Sequence, residues 1–164
     1  MNARVAITWI GLALAVVGGF EGVRRVAYQD VVGVWTVCAG ETKGVSAGDT
    51  YTLDECKAML ETRLAEFNDG VNRCLRIEVR DETRVALVSF AYNIGVPAFC
   101  KSTLLRRLNA GDGAAACDEL LRWTYADGRQ LPGLVNRRAA ERELCRAGFA
   151  GQVPVPLERP TRRA

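Results

Sequence analysis

Six cysteines are distributed between residues 38 and 145 of the 164-residue chain: Cys38, Cys56, Cys74, Cys100, Cys117 and Cys145. No two of them have the Cys-x-x-Cys spacing that is typical of zinc ribbons and thioredoxin-like redox sites. An even number of widely separated cysteines is typical of a disulfide framework, which forms in an oxidising compartment. The sequence therefore predicts three disulfides in an exported protein, and the alternative is six buried thiols in a cytosolic one. Spacing alone does not choose among the possible pairings.

Length and composition indicate one globular domain. A chain of 164 residues is long enough for one hydrophobic core and short for two. Its residues are 49% hydrophobic and 25% charged, and the formal net charge is +3. These fractions are ordinary for a soluble domain. Because no basic stripe alternates with aromatic residues, nucleic-acid binding is not expected.

The chain contains no histidine. Ser-His-Asp and Cys-His catalysis need an imidazole base, and most catalytic zinc sites use imidazole ligands. We therefore expect no metal and no cofactor. Any chemistry must rely on carboxylates, hydroxyls, thiols or basic side chains.

Residues 5–20 read VAITWIGLALAVVGGF and carry no charge. As a helix they would span about 24 Å, which is less than the roughly 30 Å hydrocarbon core of a bilayer. They predict an export segment or a marginal anchor. Cleavage within them would leave Glu21 close to a frayed terminus. We therefore expect an uncleaved segment that leaves the bilayer and packs into the fold, and the alternative is a buried first helix of a cytosolic protein.

After this segment the pattern changes from apolar to alternating. Between Tyr28 and Tyr51, Val, Trp and Thr are interleaved with glycines, which predicts short strands and turns. Thr52 and Glu55 form the capping box of a long helix with apolar residues every three or four positions as far as Leu75. Gly70 is a candidate break in this helix.

The remainder of the chain is predicted to be helical. Asp81 is expected to cap a helix that ends near Ile94, and Gly95-Val96-Pro97 should stop it. Further helices are expected at about 102–109, 112–123 and 132–147, followed by a mobile Pro- and Arg-rich tail. The predicted fold class is α+β and mostly helical, with a small β lobe and a larger helical lobe joined by the long helix. A cleft between the lobes would be the usual place for a site.

Two carboxylates and one hydroxyl are the candidates for catalysis. Glu21 directly follows the apolar segment, and a carboxyl in apolar surroundings has a raised pKa and can act as a general acid. Asp30 lies at the entrance to the β region, and Thr36 follows six residues later, where strand alternation could direct it to the same side. Two carboxyls are the minimum apparatus for cleaving a glycosidic bond. From the residues alone, a helix end and a turn aspartate are the better explanation of Glu21 and Asp30.

The pattern E-x8-D-x5-T, with its surrounding Gly and Tyr residues, resembles the active-site signature of phage-type lysozymes. Three further segments match in order: SFAYNIG (89–95), FCKSTLLRRLNAGD (99–112) and LLRWTYADGR with LPGLVNRRAAERELC (120–145). Together they cover almost all of residues 20–145. The resemblance implies a lysozyme-like fold and an endolysin that hydrolyses the β-1,4 bond between N-acetylmuramic acid and N-acetylglucosamine in peptidoglycan, which lyses the host cell.

The resemblance also implies roles for single residues. Glu21 would be the proton donor, with Asp30 and Thr36 placing the attacking water in an inverting reaction. Three residues are candidates for substrate binding. Asn93 and Ser102 match residues of the cleft wall, and Arg137 matches an arginine that pairs with the catalytic acid. Trp123 matches an aromatic residue of the helical lobe, for which a core position is expected. Relatives often carry histidine where this chain has Glu41, and a structural role is expected there.

The apolar start resembles the signal-arrest-release subgroup of endolysins. This implies a division into an export helix (1–20), a catalytic domain (21–149) and a tail (150–164). Residues 5–20 would tether the chain transiently to the host inner membrane before a monomeric enzyme acts on glycan strands in the periplasm. The implied disulfides are Cys38 with Cys56, Cys74 with Cys100, and Cys117 with Cys145.

Four alternatives stay open at this stage. A chitinase-like glycosidase would use the same carboxylates on a similar polymer, whereas a lytic transglycosylase would not need Asp30. A catalytically silent wall-binding domain would need none of Glu21, Asp30 and Thr36. A membrane-tethered structural protein would need a longer apolar segment than residues 5–20.

Overall fold

The computed structural model describes residues 9–151, which divide into two compact units at residues 67 and 68. Both β-sheets are two-stranded and antiparallel, and helices dominate, so the α+β prediction is confirmed. The elements in chain order are α1 (Trp9–Glu21), β1 (Arg24–Gln29), β2 (Trp35–Cys38), α2 (Leu53–Cys74), α3 (Asp81–Ile94), α4 (Val96–Lys101), α5 (Thr103–Asn109), α6 (Gly113–Asp118), a 3-10 turn (Glu119–Arg122), β3 (Tyr125–Ala126), β4 (Arg129–Gln130) and α7 (Pro132–Ala147).

Helix α1 contains most of the apolar segment, whose first residues (5–8) lie outside the described residues. Ala13 and Val17 are fully buried. A Cβ atom at Gly18 would lie 3.6 Å from Leu60 Cδ2, so α1 packs closely against α2. Gly22 ends the helix with φ +68°, and its N–H donates to Gly18 O at 3.2 Å. Among residues 9–151, no helix combines the length and hydropathy needed to cross a membrane.

Strands β1 and β2 form the predicted small β region, which begins at Arg24, earlier than expected. Tyr28 pairs with Thr36 and Gln29 with Trp35, and the register is irregular between Arg24 and Tyr28. On the other side of β1, Val26 bridges Thr50. The Cys38–Cys56 disulfide joins β2 to α2. This bond lies in a small core with Val37, so the hairpin is attached to α2 covalently and by packing.

Helix α2 begins with the predicted capping box. Thr52 N donates to Glu55 Oε2 at 2.7 Å, and Glu55 N donates to Thr52 Oγ1 at 3.2 Å. These bonds lower the pKa of Glu55, chiefly through the backbone N–H of Thr52. The helix continues through Gly70 without a break. A Cβ atom there would lie 2.6 Å from Val96 Cγ2, so glycine provides room for the side chain of Val96.

The second unit, from residue 68 onwards, differs from the prediction in detail. Asp81 is the first residue of α3 and not its cap, because Arg80 is the N-cap and provides no side-chain bond. The chain turns at Gly95 as predicted, but a short helix, α4, restarts at once with Pro97 in its first turn. The helix expected at 112–123 is divided into α6 and the 3-10 turn, and the β3–β4 hairpin follows.

Two disulfides lie in this second unit. Cys74 bonds to Cys100, and Cys117 bonds to Cys145. With the bond in the first unit, all three implied pairings are confirmed. Of the tail at 150–164, the residues from 152 onwards lie outside the described residues.

Candidate active site

Glu21 is the last residue of α1, and the turn at Gly22 leads directly into β1. Its side chain is exposed, so the apolar surroundings expected from the preceding helix are not found. The reason is positional: Glu21 lies on the same helix face as Ala13 and Val17, but it is the last residue of α1 and follows the buried part of that face by one turn. The structure therefore places a carboxyl at a helix end, next to the strand that leads to Asp30.

Asp30 organises the tight connection between β1 and β2. Its Oδ1 accepts hydrogen bonds from Val32 N at 3.0 Å and Val34 N at 2.8 Å. Its backbone N–H donates to Val34 O at 2.9 Å. Among the described residues no hydrogen bond reaches Oδ2. One carboxylate oxygen is thus used to hold the turn, and the other is available to a ligand.

Thr36 lies on β2, where it is 4% exposed. Its hydroxyl donates to Val34 O at 3.1 Å, so Asp30 and Thr36 are both hydrogen-bonded to the backbone of Val34. Tyr28 faces Thr36 in the register, and Asp30 faces Val34 two residues further along. Since alternate residues of a strand share a face, Asp30 and Thr36 lie on the same side of the hairpin, as the sequence predicted.

Glu41 has the structural role expected of it. Its Oε1 accepts from Thr42 N at 3.0 Å and Lys43 N at 2.8 Å, which closes the turn after β2. Its Oε2 lies 3.7 Å from Arg63 Nε of α2. Glu41 therefore closes the turn after β2 and forms a salt bridge to α2.

The three substrate-binding candidates lie in the second unit, in different environments. Asn93 is exposed near the end of α3. Ser102 is 6% exposed and caps α5 by accepting from Leu105 N at 3.1 Å. Arg137 is buried on α7, and its Nη2 donates to Ser89 O at 3.1 Å. Their contact with substrate, and the implied pairing of Arg137 with the catalytic acid, stay predictions.

A buried ionic cluster surrounds Arg137, and the sequence-based reasoning missed its other members. Glu141 is fully buried, and its Oε1 accepts from Ser89 Oγ at 2.6 Å and Arg137 Nε at 3.0 Å. Its Oε2 accepts from Arg138, which is also fully buried. Burial lowers the pKa of Arg138, and the charge of Glu141 opposes this shift. The signal was present as Arg-Arg-x-x-Glu, because these residues share one helix face.

Arg138 connects this cluster to Asn93 and Trp123. Its Nη2 donates to Asn93 Oδ1, and its Nε donates to Trp123 O at 3.0 Å. Its guanidinium lies 4.8 Å from the centre of the Phe90 ring. Trp123 packs edge-on against the same ring at 5.3 Å, but it is half-buried and so lies at the edge of the core in which it was expected. In the described part of the chain, no group of His, Cys, Asp or Glu side chains is placed to hold a metal ion.

Comparison with known protein families matches residues 18–141 to the phage lysozyme family. Among curated proteins, the SAR-endolysin of Enterobacteria phage PA-2 is 50% identical over 128 residues, which cover 77% of this chain and 78% of that protein. The SAR-endolysin of Escherichia phage Mu is 36% identical over 149 residues, covering 84% of this chain and 87% of that protein.

Solved structures resemble the chain over most of its length. The muramidase domain of SpmX from Asticaccaulis excentricus aligns with a TM-score of 0.77 at 32% identity, covering 82% of this chain and 94% of that one. A P22 lysozyme mutant aligns with a TM-score of 0.75 at 32% identity, covering 81% and 94%. The matched family region includes Glu21, Asp30 and Thr36.

Proposed function

Because the chain belongs to the phage lysozyme family, we propose that it cleaves the β-1,4 bond between N-acetylmuramic acid and N-acetylglucosamine with Glu21, Asp30 and Thr36. The family makes it a glycoside hydrolase. The observation that carries the residue assignment is the hairpin geometry, in which Asp30 and Thr36 share a face and are both bonded to Val34. A carboxylate and a hydroxyl placed together in this way can hold one water molecule.

The reaction needs one acid and one base. Glu21 protonates the glycosidic oxygen as the bond from that oxygen to the anomeric carbon breaks. A water molecule attacks the same carbon from the opposite side and transfers a proton to Asp30. This sequence inverts the anomeric configuration.

The hydrogen bonds already made by Asp30 and Thr36 determine which of their oxygen atoms can accept a hydrogen bond or a proton from the water. The hydroxyl hydrogen of Thr36 is donated to Val34 O, so its oxygen accepts a hydrogen bond from the water. Asp30 Oδ1 accepts two backbone N–H groups, and Oδ2 accepts the proton of the attacking water. Two acceptors on one molecule fix its orientation, with a lone pair directed at the anomeric carbon.

We further propose that the protein acts as a monomeric endolysin in the host periplasm after export by residues 5–20. Relatives named SAR-endolysin support export with an initial membrane tether. Three disulfides suit an oxidising compartment. The burial of Ala13 and Val17 supports a first helix that belongs to the folded enzyme after it leaves the bilayer.

The test is the clearing of permeabilised Gram-negative cells by the wild-type protein and by Glu21→Gln. A positioned general acid contributes about 10² to 10⁴ in rate, so Glu21→Gln should lose at least about 100-fold. Glu61→Gln is the matched control, because Glu61 is an exposed glutamate on α2. It should clear cells like the wild type. Equal clearing by wild type and Glu21→Gln would show that Glu21 is not the acid.

The remaining alternatives are separated by measuring peptidoglycan binding and sugar release beside the clearing assay. A silent wall-binding domain would bind peptidoglycan without clearing cells. A chitinase-like enzyme would release sugars from N-acetylglucosamine oligomers faster than from peptidoglycan. The proposed muramidase should do the reverse.

A further inference from the structure

Asn93 is an exposed side chain held in place by a fully buried one. Arg138 donates to Asn93 Oδ1. Since a guanidinium group has only donors, the amide atom it contacts must be the oxygen, whichever way the amide was first placed. The Nδ2 group of Asn93 therefore points away from Arg138. Among the described residues Nδ2 has no hydrogen-bond partner.

Arg138 is itself fixed by its remaining contacts. Nε donates to Trp123 O at 3.0 Å, Nη1 donates to Glu141, and the guanidinium plane lies over Phe90. The side chain of Arg138 is 1% exposed and that of Glu141 is 0% exposed. The guanidinium thus has one orientation available, and the Asn93 amide bonded to it has one as well.

Stability alone is a poor explanation for this arrangement. Removing two charges from water costs about as much as their attraction returns, and apolar side chains of the same volume often stabilise a core better. The arrangement does achieve something an apolar core would not. It directs two N–H donors of a surface residue outward with little remaining freedom, which lowers the entropy lost when a ligand binds.

We propose that Arg138 is a positioning residue that orients Asn93 so that its Nδ2 donates to a carbonyl oxygen of the bound polymer. This rests on the proposed function, which supplies the polymer. Two carbonyl groups of peptidoglycan have the required chemistry: the acetamido group of the sugars and the amide groups of the peptide stems. The oxygen of each of these carbonyl groups accepts hydrogen bonds and cannot donate one, so it suits the Nδ2 donor of Asn93.

The first test replaces the outward donors and keeps the inward acceptor. Asn93→Asp still accepts from Arg138 but offers no N–H to a ligand. Binding is measured in the Glu21→Gln background, so that the result does not depend on catalysis. The dissociation constant for soluble peptidoglycan fragments should rise about 10-fold, as expected for one lost hydrogen bond. Asn136→Asp, at an exposed position of α7, is the matched control and should change the dissociation constant less than 2-fold.

Binding of a second ligand shows which carbonyl group of peptidoglycan Asn93 contacts. N-acetylglucosamine oligomers carry acetamido groups and no peptide. Weaker binding of both ligands by Asn93→Asp assigns the acetamido carbonyl, and weaker binding of peptidoglycan fragments alone assigns the stem peptide. Unchanged binding of both would overturn the proposal, even if Glu21→Gln has abolished hydrolysis as proposed.

The second test asks whether Arg138 acts through Asn93. Arg138→Lys keeps the charge beside Glu141 but loses the planar fork that reaches Asn93. Arg138→Lys should weaken binding about 5-fold when Asn93 is present and less than 2-fold in the Asn93→Asp background. The reason is that the effects of substitutions at two coupled residues are not additive. Equal weakening in both backgrounds would indicate a general structural role and overturn the proposal. Arg142→Lys, at a half-buried position of α7 that contacts Asp118, should have no effect on binding.

An independent measurement uses the unaltered side chains, in case Arg138→Lys does not fold. The side-chain amide of Asn93 should be as rigid as ordered backbone in nuclear magnetic relaxation, with an order parameter of about 0.85. The exposed Asn136 amide is the internal comparison. An Asn93 value below about 0.6 would show that the amide is not held, and would overturn the proposal.

Discussion

The Cys38–Cys56 disulfide should be a main determinant of hairpin stability. It joins β2 to the first turns of α2, and its two cysteines are 3% and 2% exposed. The bond closes a loop with a sequence separation of 18 residues. The loop-closure relation then gives about 3.2 kcal/mol of stabilisation, most of it from restricting the unfolded chain. We expect Cys38→Ala/Cys56→Ala to lose about this free energy of unfolding.

Thermal and denaturant unfolding followed by far-ultraviolet circular dichroism would measure the loss. For a chain of this size, 1 kcal/mol corresponds to roughly 2–4 °C, so the midpoint should fall by roughly 6–12 °C. The matched control is Cys117→Ala/Cys145→Ala, whose separation of 28 residues gives about 3.6 kcal/mol. Treating either variant with dithiothreitol should reduce only its two remaining bonds.

Activity distinguishes the two pairs. The first bond anchors the hairpin that carries Asp30 and Thr36, whereas the second lies within the second unit. At a temperature where both variants are folded, the Cys38/Cys56 pair should clear cells more slowly than the Cys117/Cys145 pair. A stability loss below about 1 kcal/mol for Cys38→Ala/Cys56→Ala, or free thiols at these positions in the oxidised protein, would refute the reasoning.

Three further predictions concern single positions. Gly70→Ala should cost about 1–3 kcal/mol of unfolding free energy, because the new Cβ would lie 2.6 Å from Val96 Cγ2, and Val96→Ala should restore part of it in a double variant. Thr52→Ala should cost about 1 kcal/mol in denaturant unfolding through loss of the α2 cap, whereas Thr52→Ser should cost less than half of that. Hydrogen bonds from Arg142 and then Arg146 lower the pKa of Asp118 below 3.8, so its contribution to stability is present above that pH and is lost as the pH falls through the lower folded-state pKa. Asp118→Asn should therefore be less stable than wild type at pH 6, and the difference in unfolding free energy should shrink as the pH falls below 3.8; a difference that does not change with pH would contradict this assignment.

The capping box of α2 could be predicted because every contact in it is local. Thr52 and Glu55 are three residues apart, and their spacing is sufficient to define the hydrogen bonds. The β3–β4 hairpin carried an equally local signal that was not used. Asp127-Gly128 is a strong two-residue turn signal, and both residues adopt positive φ angles of 50° and 74°.

Other features could not be predicted because their causes are distant in the chain. Helix α4 has six residues, which is too short to show a helical period. Gly70 suggests a helix break in the sequence, and only the structure shows that Val96 packs against it. The exposure of Glu21 also depends on where along α1 the packed part of the helix ends, which an almost uniformly apolar segment does not reveal.

The same distinction separates the two groups of candidate residues. Asp30 and Thr36 are six positions apart because the hairpin places Asp30 opposite Val34 and Thr36 two residues beyond it. Their spacing in the sequence is therefore a direct record of strand register, and a sequence motif can identify them. Asn93 and Arg138 are 45 positions apart on different helices, and only packing brings them together. A motif records the residues that a turn brings together, whereas a residue that acts by orienting another across the core has to be found in the structure.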